Sequence, residues 1–405
     1  MITAAEKKAQ DTPQILLLSV IVSLFWFCQY VYIPYQTVYL SGIGSAPTLI
    51  GVVTGAYGFT QLILRLPLGV AADRRGRHRL FIMLGIFSAG TASLFRIFLP
   101  NESGFFLGNL FSGFASATWI SFMILFFSHF QESSLQKASG LIVGANNLGI
   151  FLGFSMGTLL YRHFGMHLLC VLSAAAALPA LFLSLFVTEP SHERQAPPVR
   201  DLLKICTDRR LILFSLLALI QQGVQISTSM SFTAQAAQAR GADSTQIGLC
   251  SVIYIVAAVL SSYFAASKAS QKLGPSFWIP VILACLTLYC LLIPNLPNIE
   301  WFYPTQILSG LSTGILFSFC TSEAMKNIPS KTKSTAMGFY QSVYAAGMTA
   351  LPVVTGALTS TFGLRSAFYS LAGLTAVGLD GAIVYYCNRR GTDFGRRSGT
   401  EDTPK

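Results

Sequence analysis

The sequence predicts an all-α membrane protein, with twelve transmembrane helices arranged as two pseudo-symmetric six-helix bundles around a central cavity. Three observations carry that expectation. The 405 residues are 53% hydrophobic and only 11% charged, against roughly 25% charged in soluble domains. Twelve apolar runs are each long enough to cross a bilayer, which takes ~20 helical residues. The second six runs echo the first six in sequence.

The runs centre near Leu24, Tyr57, Ile86, Ala117, Gly149, Ala177, Leu217, Ile255, Cys285, Ser312, Val343 and Ala376. The first begins at Gln14 and continues past Tyr35. That is too long for the apolar region of a signal peptide, so it reads as a span. Residues 1–188 form the N-terminal bundle. The polar stretch Glu189 to Arg210, with three prolines and mixed charge, reads as a linker over 189–210. Residues 211–388 form the C-terminal bundle, and 389–405 a polar, disordered tail. The echo is carried by "IGVVTGAY" at Ile50–Tyr57 against "IGLCSVIY" at Ile247–Tyr254, and by "KASG" at Lys137–Gly140 against "TAMG" at Thr335–Gly338. Gly157 with Phe164-Gly165 likewise answers Gly356 with Phe362-Gly363. Duplicated six-helix halves with a solute site between them are a transporter signature.

The net charge of +11 is explained by topology rather than by nucleic acid. With the N-terminus cytoplasmic, 22 of the 27 basic residues fall on one side of the membrane, and only Arg162, Arg240 and Arg365 on the other. This is the positive-inside pattern, with both termini cytoplasmic. Arg65 and Arg96 fall inside spans and are expected to snorkel toward the nearer interface. The eight cysteines lie mostly mid-span and show no CxxC spacing, so disulfides and zinc are not expected. His163 and His167, four apart, could share a helix face but have no third ligand nearby.

Polar residues gather on every third span. Helix 1 carries Trp26, Gln29, Tyr32 and Gln36; helix 4 carries Asn109, Ser112, Ser116, Trp119 and Met123. Helix 7 carries Gln221, Gln222, Gln225 and Ser229; helix 10 carries Gln306, Ser309 and Thr313. Polar groups facing lipid are costly, so these stripes are expected to line a cavity, with the alternative that they tie helices together. The cavity candidates are Trp26, Gln29, Gln36, Asn109, Trp119, Asn146, Gln222, Gln225, Gln306, Gln341 and Tyr344. Helices 3, 6, 9 and 12 carry no Gln or Asn and are expected at the periphery. Arg65, Glu323 and Asp380 are candidates for ion coupling or an anion site.

One charged loop interrupts this pattern. "GVAADRRGR", Gly69 to Arg77, resembles the loop between helices 2 and 3 of the major facilitator superfamily, G-x-x-x-D-R-x-G-R. The resemblance implies a conformational gate. The equivalent of Asp73 faces the other half near a helix N-terminus, where an anion is favoured, here around Lys331–Thr335. Arg77 would pair with an acid at the end of helix 4, a place that Glu132 occupies. Gly69 allows close helix approach and Gly76 the turn. Two departures separate the chain from the family's proton-coupled drug exporters. Asn109 stands where they carry an arginine, and Phe154 stands where they carry a proline among Gly149, Gly153 and Gly157.

The chain carries no HExxH, GxSxG, P-loop or dinucleotide motif, so neither enzyme chemistry nor ATP drive is expected. The expected function is secondary transport of a small organic solute by alternating access, with export, including drug or metabolite efflux, favoured over nutrient uptake. A transporter-fold sensor is the alternative of another class. The uncharged lining suits a neutral, zwitterionic or amphipathic solute. The expected partners are that solute and the lipid bilayer. No cofactor is expected, with a proton gradient as the candidate drive. The chain is expected to act as a monomer in a bacterial inner membrane.

Overall fold

The computed structural model describes residues 12–75, 77–130, 135–189, 207–326, 328 and 333–398. Ten segments among them are long and apolar enough to cross a membrane. One of these, Ala138–Ser184, turns at Gly165, whose φ of 67° belongs to the left-handed region that glycine enters freely. It therefore supplies two crossings, and the more polar stretch 302–325 supplies the twelfth.

In chain order the crossings are α1 (Thr12–Gly42), α2 (Pro47–Arg75), α3 (His78–Phe98) and α4 (Glu102–Ser128). Then come α5 (135–164), α6 (166–184), α7 (Arg209–Gln238) and α8 (Ser244–Ala266). The last four are α9 (Pro275–Leu292), α10 (302–325), α11 (Lys333–Phe362) and α12 (Leu364–Ser398). Side-chain caps fix several starts. Asn101 accepts from the Gly104 N–H at 3.1 Å, Asp208 from Leu211 at 2.8 Å, and Asp243 closes a reciprocal box with Gln246. α12 runs on to Ser398. The expected disordered tail is corrected to this extent: an established helix gains a hydrogen bond for each added residue at little cost.

Twelve crossings leave both ends of the chain on one face, here the terminal end; the opposite face is the far end. α1 packs on α5 and α7 on α11, while α2 against α11 and α5 against α8 join the two halves. α3 pairs with α6 and α9 with α12 on the outside. Small residues let backbones touch, as membrane packing requires. A Cβ on Gly55 would lie 2.6 Å from the Thr349 carbonyl oxygen, and one on Gly58 2.6 Å from the Met348 carbonyl carbon. Gly149 meets the backbone of Ser23, and Gly347, its counterpart in the repeat, meets that of Leu219.

The apolar cores differ between the two ends. Toward the far end one continuous core holds Tyr35, Val38, Ile50 and Phe105 together with Val224, Phe232, Tyr289 and Phe302, so it spans both halves. Toward the terminal end the core divides into two clusters. One is built from α1, α3, α4, α5 and α6 with Tyr254, Ile255 and Ala258 of α8, the other from the C-terminal half with Tyr57 and Leu62 of α2 at its edge.

Candidate functional site: a cavity lined by α1, α2, α4 and α7

The four helices that carry the polar stripes are also the four whose helical path breaks. α1 turns at Val31–Tyr32, just before Pro34, which cannot donate into the preceding turn. α4 turns at Thr118. α7 and α10 instead widen into π-helical segments, Thr228–Phe232 and Ser312–Leu316. The breaks correspond under the internal repeat: Val31 with Thr228, Thr118 with Ile315. Such interruptions are tolerated at membrane depth where the backbone is buried in protein or lines a cavity.

A cavity lies beside the breaks in α1 and α7, with about 430 Å³ of empty space, its open mouth included. α1 supplies Gln29, Tyr30, Tyr32, Ile33 and Gln36; α2 supplies Thr54 and Tyr57; α4 supplies Asn109; α7 supplies Ile226, Met230 and Ser231. The Oε1 of Gln36 and the Oγ of Ser231, both buried, have no hydrogen-bond partner among the described residues.

Behind the lining lie two matched triads. In the N-terminal half, Gln29 Nε2 donates to the Ser112 carbonyl at 2.9 Å and to Ser116 Oγ at 3.0 Å, and Tyr57 shares a 2.9 Å bond with that same Oγ. In the C-terminal half, Gln225 donates to the Tyr254 hydroxyl, which shares a 2.9 Å bond with Thr313 Oγ1. Tyr57 and Tyr254, and Ser116 and Thr313, are equivalents under the repeat, and Gln29 and Gln225 fall within one residue of the same register. Gln221, buried beside Gln225, donates weakly to Gln225 Oε1 and Ser312 Oγ.

Two arginines depart from expectation. Arg96 does not snorkel: it is 2% exposed. Its Nη2 donates to Asn109 Oδ1 and Ser112 Oγ, both at 2.9 Å, and its guanidinium carbon lies 4.1 Å from the Tyr32 ring centre. Gly108 leaves the space that admits it, since a Cβ there would lie 2.8 Å from Nε. Cation–π contact and two polar acceptors replace water around the charge. Arg65 is also buried, at 4%. Its Nη1 donates to the Tyr344 hydroxyl of the other half at 2.5 Å. Nε of both arginines and Nη1 of Arg96 have no partner, and among the described residues neither arginine has an ion pair.

The remaining candidates divide. Asn109 lines the cavity, but its amide is spent: Oδ1 accepts from Arg96 and Nδ2 donates to the Val53 carbonyl at 2.7 Å. Trp26 and Trp119 meet edge to face at 5.3 Å in an aromatic cluster with Tyr30, one layer behind the lining. Gln306 is buried, lies 3.4 Å from the Phe302 carbonyl of its own helix and also meets the Tyr289 hydroxyl of α9. Gln341 is buried near Tyr344 with a free Oε1. Asn146 and Gln222 are half-buried and lie outside the lining. Glu323 is committed to Arg210, with Lys326 at 3.7 Å, and ties α10 to α7. Asp380 is exposed on α12. Arg77 is exposed at the N-cap of α3. Its expected partner Glu132, Gly76 and the side chain of Asp73 lie outside the described residues, as do Lys331 and the side chains of 333–335; Gly69 falls within α2. His163 and His167 do not share a helix face, because the chain turns at Gly165 between them.

The sequence reading did not single out Tyr30, Ile33, Thr54, Tyr57, Ile226, Met230 or Ser231 as lining. Tyr57 carried a signal, since it closes the repeated segment that ends at Tyr254. The apolar members carried none.

The far end is sealed. Thr37 Oγ1 donates to the Ser231 carbonyl at 2.9 Å, Tyr35 OH to the Ser244 carbonyl at 2.8 Å, and Gln235 Nε2 to the Thr37 carbonyl at 3.4 Å. Arg65–Tyr344 is the one further side-chain hydrogen bond between the halves among the described residues.

The architecture and the repeat have known counterparts. A model of the Major Facilitator Superfamily matches residues 15–236 and again 214–403. The chain is 23% identical to the inner membrane transport protein YajR of Escherichia coli, over 89% of this chain and 81% of that one. It resembles in fold a variant of the nucleoside transporter NupG, with a TM-score of 0.75, 16% identity, and 92% and 99% of the two chains covered. A bacterial homologue of the human lysosomal transporter Spinster, solved inward-facing and unoccupied, gives a TM-score of 0.75 at 12% identity, with 93% and 97% covered. The chain is a multi-pass membrane transporter and belongs to the major facilitator superfamily.

Proposed function

We infer that the chain is a secondary transporter that carries a small organic solute by alternating access and works as an exporter. The observation that carries this reading is the cavity between the halves, sealed toward the far end by one shared core and backed toward the terminal end by two separate ones. A solute held between two rigid halves can pass from one face to the other if the halves rock about it. The positive-inside distribution supports a cytoplasmic terminal end, and the likeness to YajR supports a bacterial inner membrane. The cavity then faces the cytoplasm, where an exporter loads. The polar triads of each half anchor their helices and keep the cavity wall rigid. Asp73, Arg77 and Glu132 form the gate at the cytoplasmic end, and a proton gradient is the proposed drive.

The test is a paired mass-spectrometric survey of cells and medium, with one strain carrying the natural chain and the other Asp73→Asn at matched membrane levels. The expected result is a compound enriched outside only with the natural chain. Enrichment inside would reverse the direction. The absence of any difference would contradict transport through this gate.

A further inference from the structure

The charge balance around the cavity names the class of solute, and this rests on the transporter reading above. Among the described residues whose side chains are placed, each acid is accounted for away from the cavity. Glu323 is held by Arg210, and Asp380 is exposed on α12. Glu102, Asp243 and Glu300 lie at the far end, and Glu189 and Asp208 at the terminal end. No carboxylate stands in the cavity wall. Two guanidinium groups do stand by it, buried and, among the described residues, without counter-ions. Arg96 lies directly behind the lining residues Tyr32 and Asn109. Arg65 lies two turns along α2 from the lining residue Tyr57 and reaches across to Tyr344. Arginine does not deprotonate inside a protein, and in a low-dielectric interior its field acts over the width of such a cavity.

We propose that the cavity takes an organic anion: a solute bearing one carboxylate, sulfonate or phosphate group on a small apolar or aromatic body. The anionic end is drawn to the N-terminal wall, where Arg96 supplies the charge through Tyr32, Asn109 and Ser112. The body packs on Ile33, Ile226 and Met230. The free Gln36 Oε1 accepts a hydrogen bond from a hydroxyl or N–H on that body. A cation entering the same space meets two positive charges and no acid, so the arrangement selects against it as well as for the anion. Arg96 acts through its neighbours and is a positioning and field-setting residue.

The potential can be read without knowing the solute. The full-length Ile33→Cys protein, in nanodiscs of phosphatidylcholine so that no lipid charge intrudes, is treated with sulfonatoethyl or trimethylammonioethyl methanethiosulfonate. Labelling of the peptide carrying residue 33 is followed by mass spectrometry. Each rate is divided by the rate on the same cysteine in the denatured chain. The normalised ratio is expected to favour the anionic reagent by on the order of a hundredfold, because one unit charge ~10 Å away at an effective dielectric near 20 attracts one reagent about as strongly as it repels the other. Arg96→Gln and Arg65→Gln should each lower it, and the two together should bring it near one. A ratio at or below one in the parent, or one that survives loss of both arginines, overturns the proposal. If Arg96→Gln does not fold, the parent ratio and Arg65→Gln decide. The readout needs no turnover, so a failure of transport in the survey and a failure of anion selection are separate results.

Discussion

In the N-terminal half, Gln29, Tyr57 and Ser116 tie α1, α2 and α4 together; in the C-terminal half, Gln225, Tyr254 and Thr313 tie α7, α8 and α10. The triads are equivalent, but what stands behind each is not. Behind the first, α3 sends in the charge of Arg96, onto Asn109 and Ser112. Behind the second, α9 sends in the neutral hydroxyl of Tyr289, which shares bonds with Ser229 at 3.2 Å and Thr233 at 2.8 Å. The backbone breaks differ as well: turns in α1 and α4, π-helical segments in α7 and α10. One ancestral plan has thus been divided. The N-terminal half supplies the field, and the C-terminal half a neutral wall with widened helices, which often mark functional positions.

The sharpest way to break that comparison is to neutralise each keystone. Arg96→Gln should lower transport of the solute found in the survey by about 100-fold, equivalent to ~2.7 kcal/mol. Tyr289→Phe removes one neutral hydrogen-bonding group, worth ~1 kcal/mol, and should cost about fivefold. Initial rates in vesicles at matched protein amounts check both. Equal losses would mean that the charge is not what distinguishes the halves.

The tight packing should respond alike in both halves. Gly149→Val pushes α5 off the Ser23 backbone, and Gly347→Val pushes α11 off that of Leu219. Each overpacks a close crossing and should destabilise the protein by about 1–3 kcal/mol, read as matched drops in thermal unfolding temperature. A response from only one of the pair would confine the repeat to sequence.

The acids give smaller effects on transport. Glu323→Gln leaves Arg210 without its ion partner and should cost about 3 kcal/mol of stability, while the pH profile of transport stays where it was. A shifted profile would make Glu323 a coupling group. Asp380→Asn changes an exposed side chain on α12 and should leave transport within about twofold; a larger loss would bring the outer helix into the mechanism.

Buried polar groups must face something other than lipid, and of the residues this rule selects Gln29, Gln36 and Asn109 stand in the cavity wall, whereas Gln225 lies behind it on Tyr254 and α10 contributes nothing to the lining. The phase within a stripe was less legible. Gln222 was preferred as lining, yet its neighbour Gln221 is the one buried against Gln225 and Ser312. Arg96 was misread because a long cation near a helix end normally reaches for water. Here Gly108 opens a space, and the Tyr32 ring with two polar acceptors fills it, a combination spread over three helices. The breaks in α7 and α10 carry no proline to announce them. Ile33, Ile226 and Met230 could not be told from lipid-facing apolar residues until the helices were assembled.

The account stands on the two halves parting at the far end during transport. The most direct test is a lock across that seam: Thr37→Cys with Gln235→Cys, at positions joined by a hydrogen bond here. With the solute from the survey, transport by the reduced protein should proceed, fall to background when the pair is oxidised to a complete cross-link, and return on reduction. Transport by the fully cross-linked protein at the reduced rate would contradict alternating access through this cavity.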